Sequence, residues 1–194
     1  DSNIQTLDDL SGHTVSIGAE ESGTERNATQ ILEFAGMPSS LVATKNLDYI
    51  EATKELKAGD IDAFFCTAGL TTTVIDELSK ECDIRLIPLT DTVISKMLES
   101  SLAYTSEVIP AGTYTGQTTD INTIGVKSVL ITKADVSDDT IEQLTSLLFE
   151  KENEISYSNS LKLELTYDFA TDDIPIPFHD GAKRYYKACG YSTN

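Results

Sequence analysis

The chain has 194 residues, 40% of them hydrophobic, with only 11 glycines and 5 prolines, which marks a folded protein rather than a disordered one. Its 14 basic and 32 acidic residues leave a formal charge of −18, so nucleic acid and anionic membrane surfaces are poor partners. Three cysteines, Cys66, Cys82 and Cys189, form no complete disulfide framework and no C-x-x-C pair that would suggest zinc.

The chain opens on Asp1-Ser2-Asn3-Ile4 without an initiator Met, as a processed or truncated piece would. No apolar run approaches the ~18 residues needed to span a membrane. Leu7 to His13 reads as a polar turn, and His13 as a surface histidine without metal-ligand partners. Thr14 to Gly18 alternates as a strand does. Ser22-Gly23-Thr24-Glu25 follows, and behind it Ala28, Ile31, Leu32 and Ala35 share a helical face, with Gly36 placed as a left-handed cap.

The pattern then repeats. Leu41 to Thr44 predicts a short strand, and Asp48 with Glu51 has capping-box spacing for a helix that stops at Gly59. Ile61 to Cys66 is almost continuously apolar, as expected of a central parallel strand, and Cys66 reads as a small buried hydrophobe. Thr67 to Thr71 is a turn, and Val74, Ile75 and Leu78 open another helix. Ile84 to Leu89 predicts a fourth strand, with Val93, Ile94, Met97 and Leu98 facing inward from the helix after it. Four strand-then-helix units predict an α/β lobe with a mostly parallel sheet. Ligands in such sheets bind at the carboxyl ends of the strands, the edge at which loops 18–24 and 66–72 are expected to converge.

Beyond Ala103 the texture changes. Ile109 to Gln117 is a turn-rich loop carrying Tyr114, and Thr123 to Thr132 predicts a long strand that crosses between lobes. Ser137 caps a helix bearing Ile141, Leu144, Leu147 and Leu148. An acidic, Ser-rich stretch (150–160), Pro175-Ile176-Pro177 and a helix over 182–189 complete the chain. The expected division is an α/β ligand-binding lobe over 1–122, then a crossover strand and C-terminal segment over 123–194.

Ser22-Gly23-Thr24-Glu25 has two compatible readings. It is a capping box, Ser22 at the N-cap and Glu25 at the third helical position, worth ~1 kcal/mol without any ligand. It is also a corner where hydroxyls and free N–H groups suit a carboxylate or phosphate, with Gly23 allowing close approach. Tyr114, inside Gly-Thr-Tyr-Thr-Gly, either presents its hydroxyl to a ligand or packs over the sheet edge. No catalytic constellation emerges: the spacing of Ser22, His179 and Asp180 does not support a triad, and His179 reads as a structural histidine. The P-loop lysine and the dinucleotide glycine pattern are absent. Asp60 and Asp62 lack the further acidic partner a metal would need, and the Asn27-Ala28-Thr29 sequon falls in a first helical turn. No enzyme activity, cofactor or metal is therefore expected.

In this order the motifs resemble the TAXI-family solute receptors of tripartite (TRAP) transporters. The matching stretches are Leu7 to Gly12, Val15 to Glu25, Gly59 to Phe65, Ile109 to Tyr114, and His179-Asp180-Gly181-Ala182-Lys183-Arg184-Tyr185-Tyr186. The resemblance implies a type II periplasmic-binding-protein-like lobe with a C-terminal helical return toward a second lobe, and an N-terminal lobe segment missing from this sequence. It implies an extracytoplasmic receptor, periplasmic or lipid-anchored at the outer face of the membrane, that clamps a small organic anion such as glutamate or a dicarboxylate. Membrane permease subunits would receive that anion. Carried over by motif, Ser22, Gly23 and Thr24 would hold a ligand carboxylate, with Thr67 and Gly69 from the loop after the third strand and Tyr114 from the later loop. Two positions depart from the pattern: Glu21 stands where glycine is usual, and Leu70 where proline is common. A ligand-sensing domain of a signalling protein and a phosphate receptor are the alternatives.

Overall fold

In the computed structural model, which describes residues 2–150 and 165–193, strand β1 (Thr14–Ser16) lies between β2 (Ala43–Lys45) and β3 (Ala63–Phe64) in a parallel sheet. Thr14 aligns with Ala43, and Val15 aligns with both Thr44 and Ala63. The expected central strand is therefore an edge. Within the 61–66 run Ile61 is buried and Ala63 and Phe65 pack against the core, while β1 exchanges hydrogen bonds with two neighbours.

The chain divides into two compact units, Asp1–Gly125 and Val126–Asn194. In the first, a 3-10 turn (Asp8–Leu10) buries Leu7 and Leu10, and helices α1 (Gly23–Phe34), α2 (Tyr49–Ala58), α3 (Thr73–Glu81) and α4 (Asp91–Ser100) follow. The core joins Val15 and Ile17 of the β1 segment to Ala28, Ile31 and Leu32 of α1 and to Val93, Ile94 and Met97 of α4. Leu98, expected to face inward, is 37% exposed, because the inward stripe of α4 is filled by its three neighbours.

The helix ends follow local chemistry. Ser22 Oγ accepts from the Glu25 N–H and Asp48 Oδ1 from the Glu51 N–H. Gly36 (φ 75°) closes α1 in a Schellman motif, its N–H on the Glu33 carbonyl and that of Met37 on the Leu32 carbonyl.

The fourth strand does not form. Residues 84–89 have no strand pairing: Pro88 lacks a donor, the Arg85 guanidinium donates to the Ile4 carbonyl, and the Leu89 N–H goes to Asn122. Strand β4 (Tyr104–Ile109) pairs instead with β5 (Ile121–Val126) in a separate two-stranded sheet. The long strand expected over 123–132 thus ends at Val126, where the apolar alternation gives way to residues exposed on both sides.

The second unit contains α5 (Asp138–Glu150), α6 (Tyr167–Thr171) and α7 (Asp180–Ala188). On α5 the buried positions are Ile141 and Thr145, while Leu144 and Leu147, expected on the packed face, are 39% and 49% exposed. Aromatic rings hold the three helices: Phe149 stacks on Tyr167 at 4.3 Å, Tyr167 on Tyr191 at 4.8 Å, and Tyr186 meets Phe149 edge-on. Arg184 reaches Asp138, Asp139 and Glu142 from α7. Most of the acidic Ser-rich stretch lies outside the described residues.

Candidate functional site

Because β2, β1 and β3 are parallel, the segments that leave their carboxyl ends gather at one edge. Residues 17–22, 46–49 and 65–72 meet there, and one side chain joins them. The Tyr49 hydroxyl lies 2.7 Å from Thr24 Oγ1, accepts from the Thr67 N–H at 3.0 Å and donates to the Thr67 carbonyl at 3.0 Å. A phenol has one proton. With that proton on the Thr67 carbonyl, Thr24 is the donor in its bond with Tyr49.

That assignment separates the roles of three hydroxyls. Thr24 is buried and its hydroxyl proton goes to Tyr49, which leaves its backbone N–H as its one uncommitted donor. Ser22 Oγ accepts from Glu25, and Thr67 Oγ1 accepts from Asn27 Nδ2 at 3.2 Å, so each retains its proton for another acceptor. The N–H groups of Gly23 and Thr24, at the first positions of α1, have no acceptor among the described residues. A Cβ placed on Gly23 would meet nothing within 4 Å, so backbone can be approached closely there.

The charges beside this corner are arranged asymmetrically. Glu25 is fully engaged, taking the Glu21 N–H at 2.6 Å on one oxygen and Asn46 Nδ2 at 2.8 Å on the other. Asn46 also donates to the Gly18 carbonyl, which ties the loop to the segment after β2. Glu20 and Glu21 are exposed. Glu21 has φ 62°, a left-handed conformation that glycine adopts without strain.

Thr67 and Gly69 are exposed in the loop after β3. Tyr114 is 7% exposed, in the loop between β4 and β5. Burial raises its pKa above the ordinary phenol value. Its ring is buried, and the Gly112–Gly116 loop that carries it meets α3 through the Thr115 N–H on Ser79 Oγ. Burial likewise pushes the Cys66 thiol up to about 11.

The remaining sequence candidates are accounted for by protein contacts. Asp62 accepts from the Thr14 N–H and lies 3.2 Å from His13, and no metal-binding cluster occurs among the described residues. Asn27 is held between Thr67 and the Tyr104 hydroxyl, so the sequon amide is engaged in the fold. His179 Nδ1 accepts from the Gly181 N–H as the cap of α7, a structural role. All three cysteines are free thiols.

Tyr49 was not singled out by its sequence. A tyrosine following a capping aspartate looks like any aromatic on a helix face, and only the adjacency of three loops reveals its role.

The mixed α/β architecture, with its parallel three-stranded sheet, is that of a periplasmic-binding-like lobe. Comparison with protein families agrees: residues 1–190 match the NMT1-like family, so the chain belongs to that family, which is of periplasmic-binding type.

Proposed function

We propose that the chain is a TAXI-type solute receptor that captures a small organic anion, such as glutamate or a related dicarboxylate, for TRAP permease subunits outside the cytoplasm. It acts by binding and performs no catalysis. Membership of a binding-protein family supports the general part of this reading. The observation that supports an anionic ligand is the set of uncommitted donors around α1, the Gly23 and Thr24 N–H groups and the Ser22 hydroxyl, with Thr67 tied to the same corner through Tyr49 and Asn27. At a helix start such donors favour negative charge. Ser22, Gly23, Thr24 and Thr67 would contact the anion, Gly69 would give the loop its close approach, and Tyr114 would contribute from the later loop. Closure of a hinge around the ligand would then display a surface to the permease.

Calorimetry and thermal shift on the full chain, across amino acids, dicarboxylates and other organic acids, test the proposal. Saturable binding that weakens at least tenfold in Ser22→Ala is expected; no response to any of them would sink it. The same donors suit phosphate, so competition by inorganic phosphate at low concentration would favour an oxyanion receptor instead.

A further inference from the structure

We infer that Tyr49 is the positioning residue of this corner: its hydroxyl sets the separation between the start of α1 and the loop at Thr67, and hence the width of the opening an anion enters. The inference rests on the anion-binding reading above. In the sheet order β2-β1-β3, Tyr49 follows β2 and Thr67 follows β3, so the side chain bridges two strand spacings, roughly 10 Å. On the way it meets Thr24 after β1. All three loops are thereby tied to one oxygen.

The anchor at each end is firm. Tyr49 is the first residue of α2, directly behind Asp48, whose carboxylate caps the helix through the Glu51 N–H at 2.8 Å. At the far end Tyr49 occupies both backbone polar groups of Thr67, while Asn27 holds the Thr67 side chain and is itself held by Tyr104 at 2.8 Å. Thr67 is solvent-exposed and lies beyond the last paired residue of β3, so no ladder bond fixes it. Tyr49 also takes up the Thr24 proton, which orients Thr24 and leaves its N–H as the ligand donor. Tyr49 need not touch the ligand; it holds two donor groups at one distance before the ligand arrives, which lowers the cost of ordering them on binding.

Tyr49→Phe preserves the ring and removes only the hydroxyl. L-Glutamate, succinate and inorganic phosphate are the probes, titrated calorimetrically into both proteins, with melting temperature measured in parallel. The expected result is an affinity loss of about tenfold or more for whichever probe binds, with a fall of only a few degrees in melting temperature. A tyrosine with a purely structural role would lower the melting temperature and leave affinity within about twofold; that result overturns the inference and leaves the anion-binding reading standing. If none of the probes binds the unsubstituted protein, that reading falls and the inference with it. Should Tyr49→Phe not fold, hydrogen exchange on the unsubstituted, unliganded protein decides: a protected Thr67 amide supports pre-positioning, and one exchanging at the rate of free loop backbone overturns it.

Discussion

Gly18 and Thr24 stand so close that a Cβ on Gly18 would lie 2.7 Å from Thr24 Cβ and 2.8 Å from its Cγ2. The glycine also has φ 98°, in the left-handed region. Both facts follow from bringing the chain off β1 and straight into α1, with Thr24 turned inward on Tyr49. Gly18→Ala should therefore cost about 2–4 kcal/mol, the sum of backbone strain and overpacking. A guanidinium titration should show a lower midpoint with an unchanged slope. An unchanged midpoint would mean that the loop adjusts freely, and the rigid corner would be lost as an idea.

Glu21 offers the opposite case, a strained position that can be relaxed. Its φ of 62° costs a non-glycine residue about 1 kcal/mol, and none of the hydrogen bonds at this corner uses its carboxylate. Glu21→Gly should leave stability unchanged or raise it by up to about 0.5 kcal/mol, once the extra chain entropy of glycine is set against the strain relieved. It also removes a negative charge next to the proposed anion, so affinity should rise at low salt and the gain should shrink toward 1 M salt. A drop in affinity at low salt would instead place the Glu21 carboxylate in contact with a positively charged part of the ligand.

What could be read from the sequence was the punctuation. Ser22 with Glu25, Asp48 with Glu51, and the left-handed Gly36 and Gly59 are set by bonds spanning three to five residues, and each end lies where its residues predict. What could not be read depended on distant partners. Ile84 to Leu89 has strand composition, yet its polar groups go to Ile4 and Asn122, far away in the chain. The order β2-β1-β3 is equally invisible to periodicity, since a short apolar run reads the same at an edge as in the middle of a sheet. At the site, the Ser22 and Thr67 loops were legible because parallel sheets collect their loops at one edge, whereas Tyr49 was not, because its significance is wholly tertiary.

Cys66 beneath the corner gives a pH-dependent readout. Its thiol is raised from an ordinary 9.0 to about 11 by burial, so the folded protein retains a proton that the unfolded chain releases. The resulting stability is fully present below pH 9.0 and is lost as pH rises from there to about 11. Iodoacetamide at pH 8 should alkylate Cys66 in the folded protein far more slowly than in the unfolded chain. The stability difference between the unsubstituted protein and Cys66→Ala should change in the alkaline range in that direction. Rapid alkylation at pH 8 would contradict the burial that raises the thiol.

In the second unit the critical contact is between Gly181 and Asp138. A Cβ on Gly181 would overlap the Asp138 carbonyl, so α7 approaches α5 only because that side chain is missing. The same residue gives its N–H to His179 Nδ1, the cap of α7, and His179 Nε2 is already buried with no partner among the described residues. There is little room for α7 to move outward, since Arg184 holds three α5 carboxylates and Tyr186 packs against Phe149. Gly181→Ala should thus separate the helices and cost about 3 kcal/mol or more. Near-ultraviolet circular dichroism should report it through the loss of tyrosine signal from the clustered rings of Tyr167, Tyr185, Tyr186 and Tyr191. Limited proteolysis should at the same time cut within residues 126–194 before it cuts within 1–125. A native tyrosine spectrum together with an unchanged cleavage pattern would show that the α5–α7 contact tolerates a methyl group and that the glycine is there for another reason.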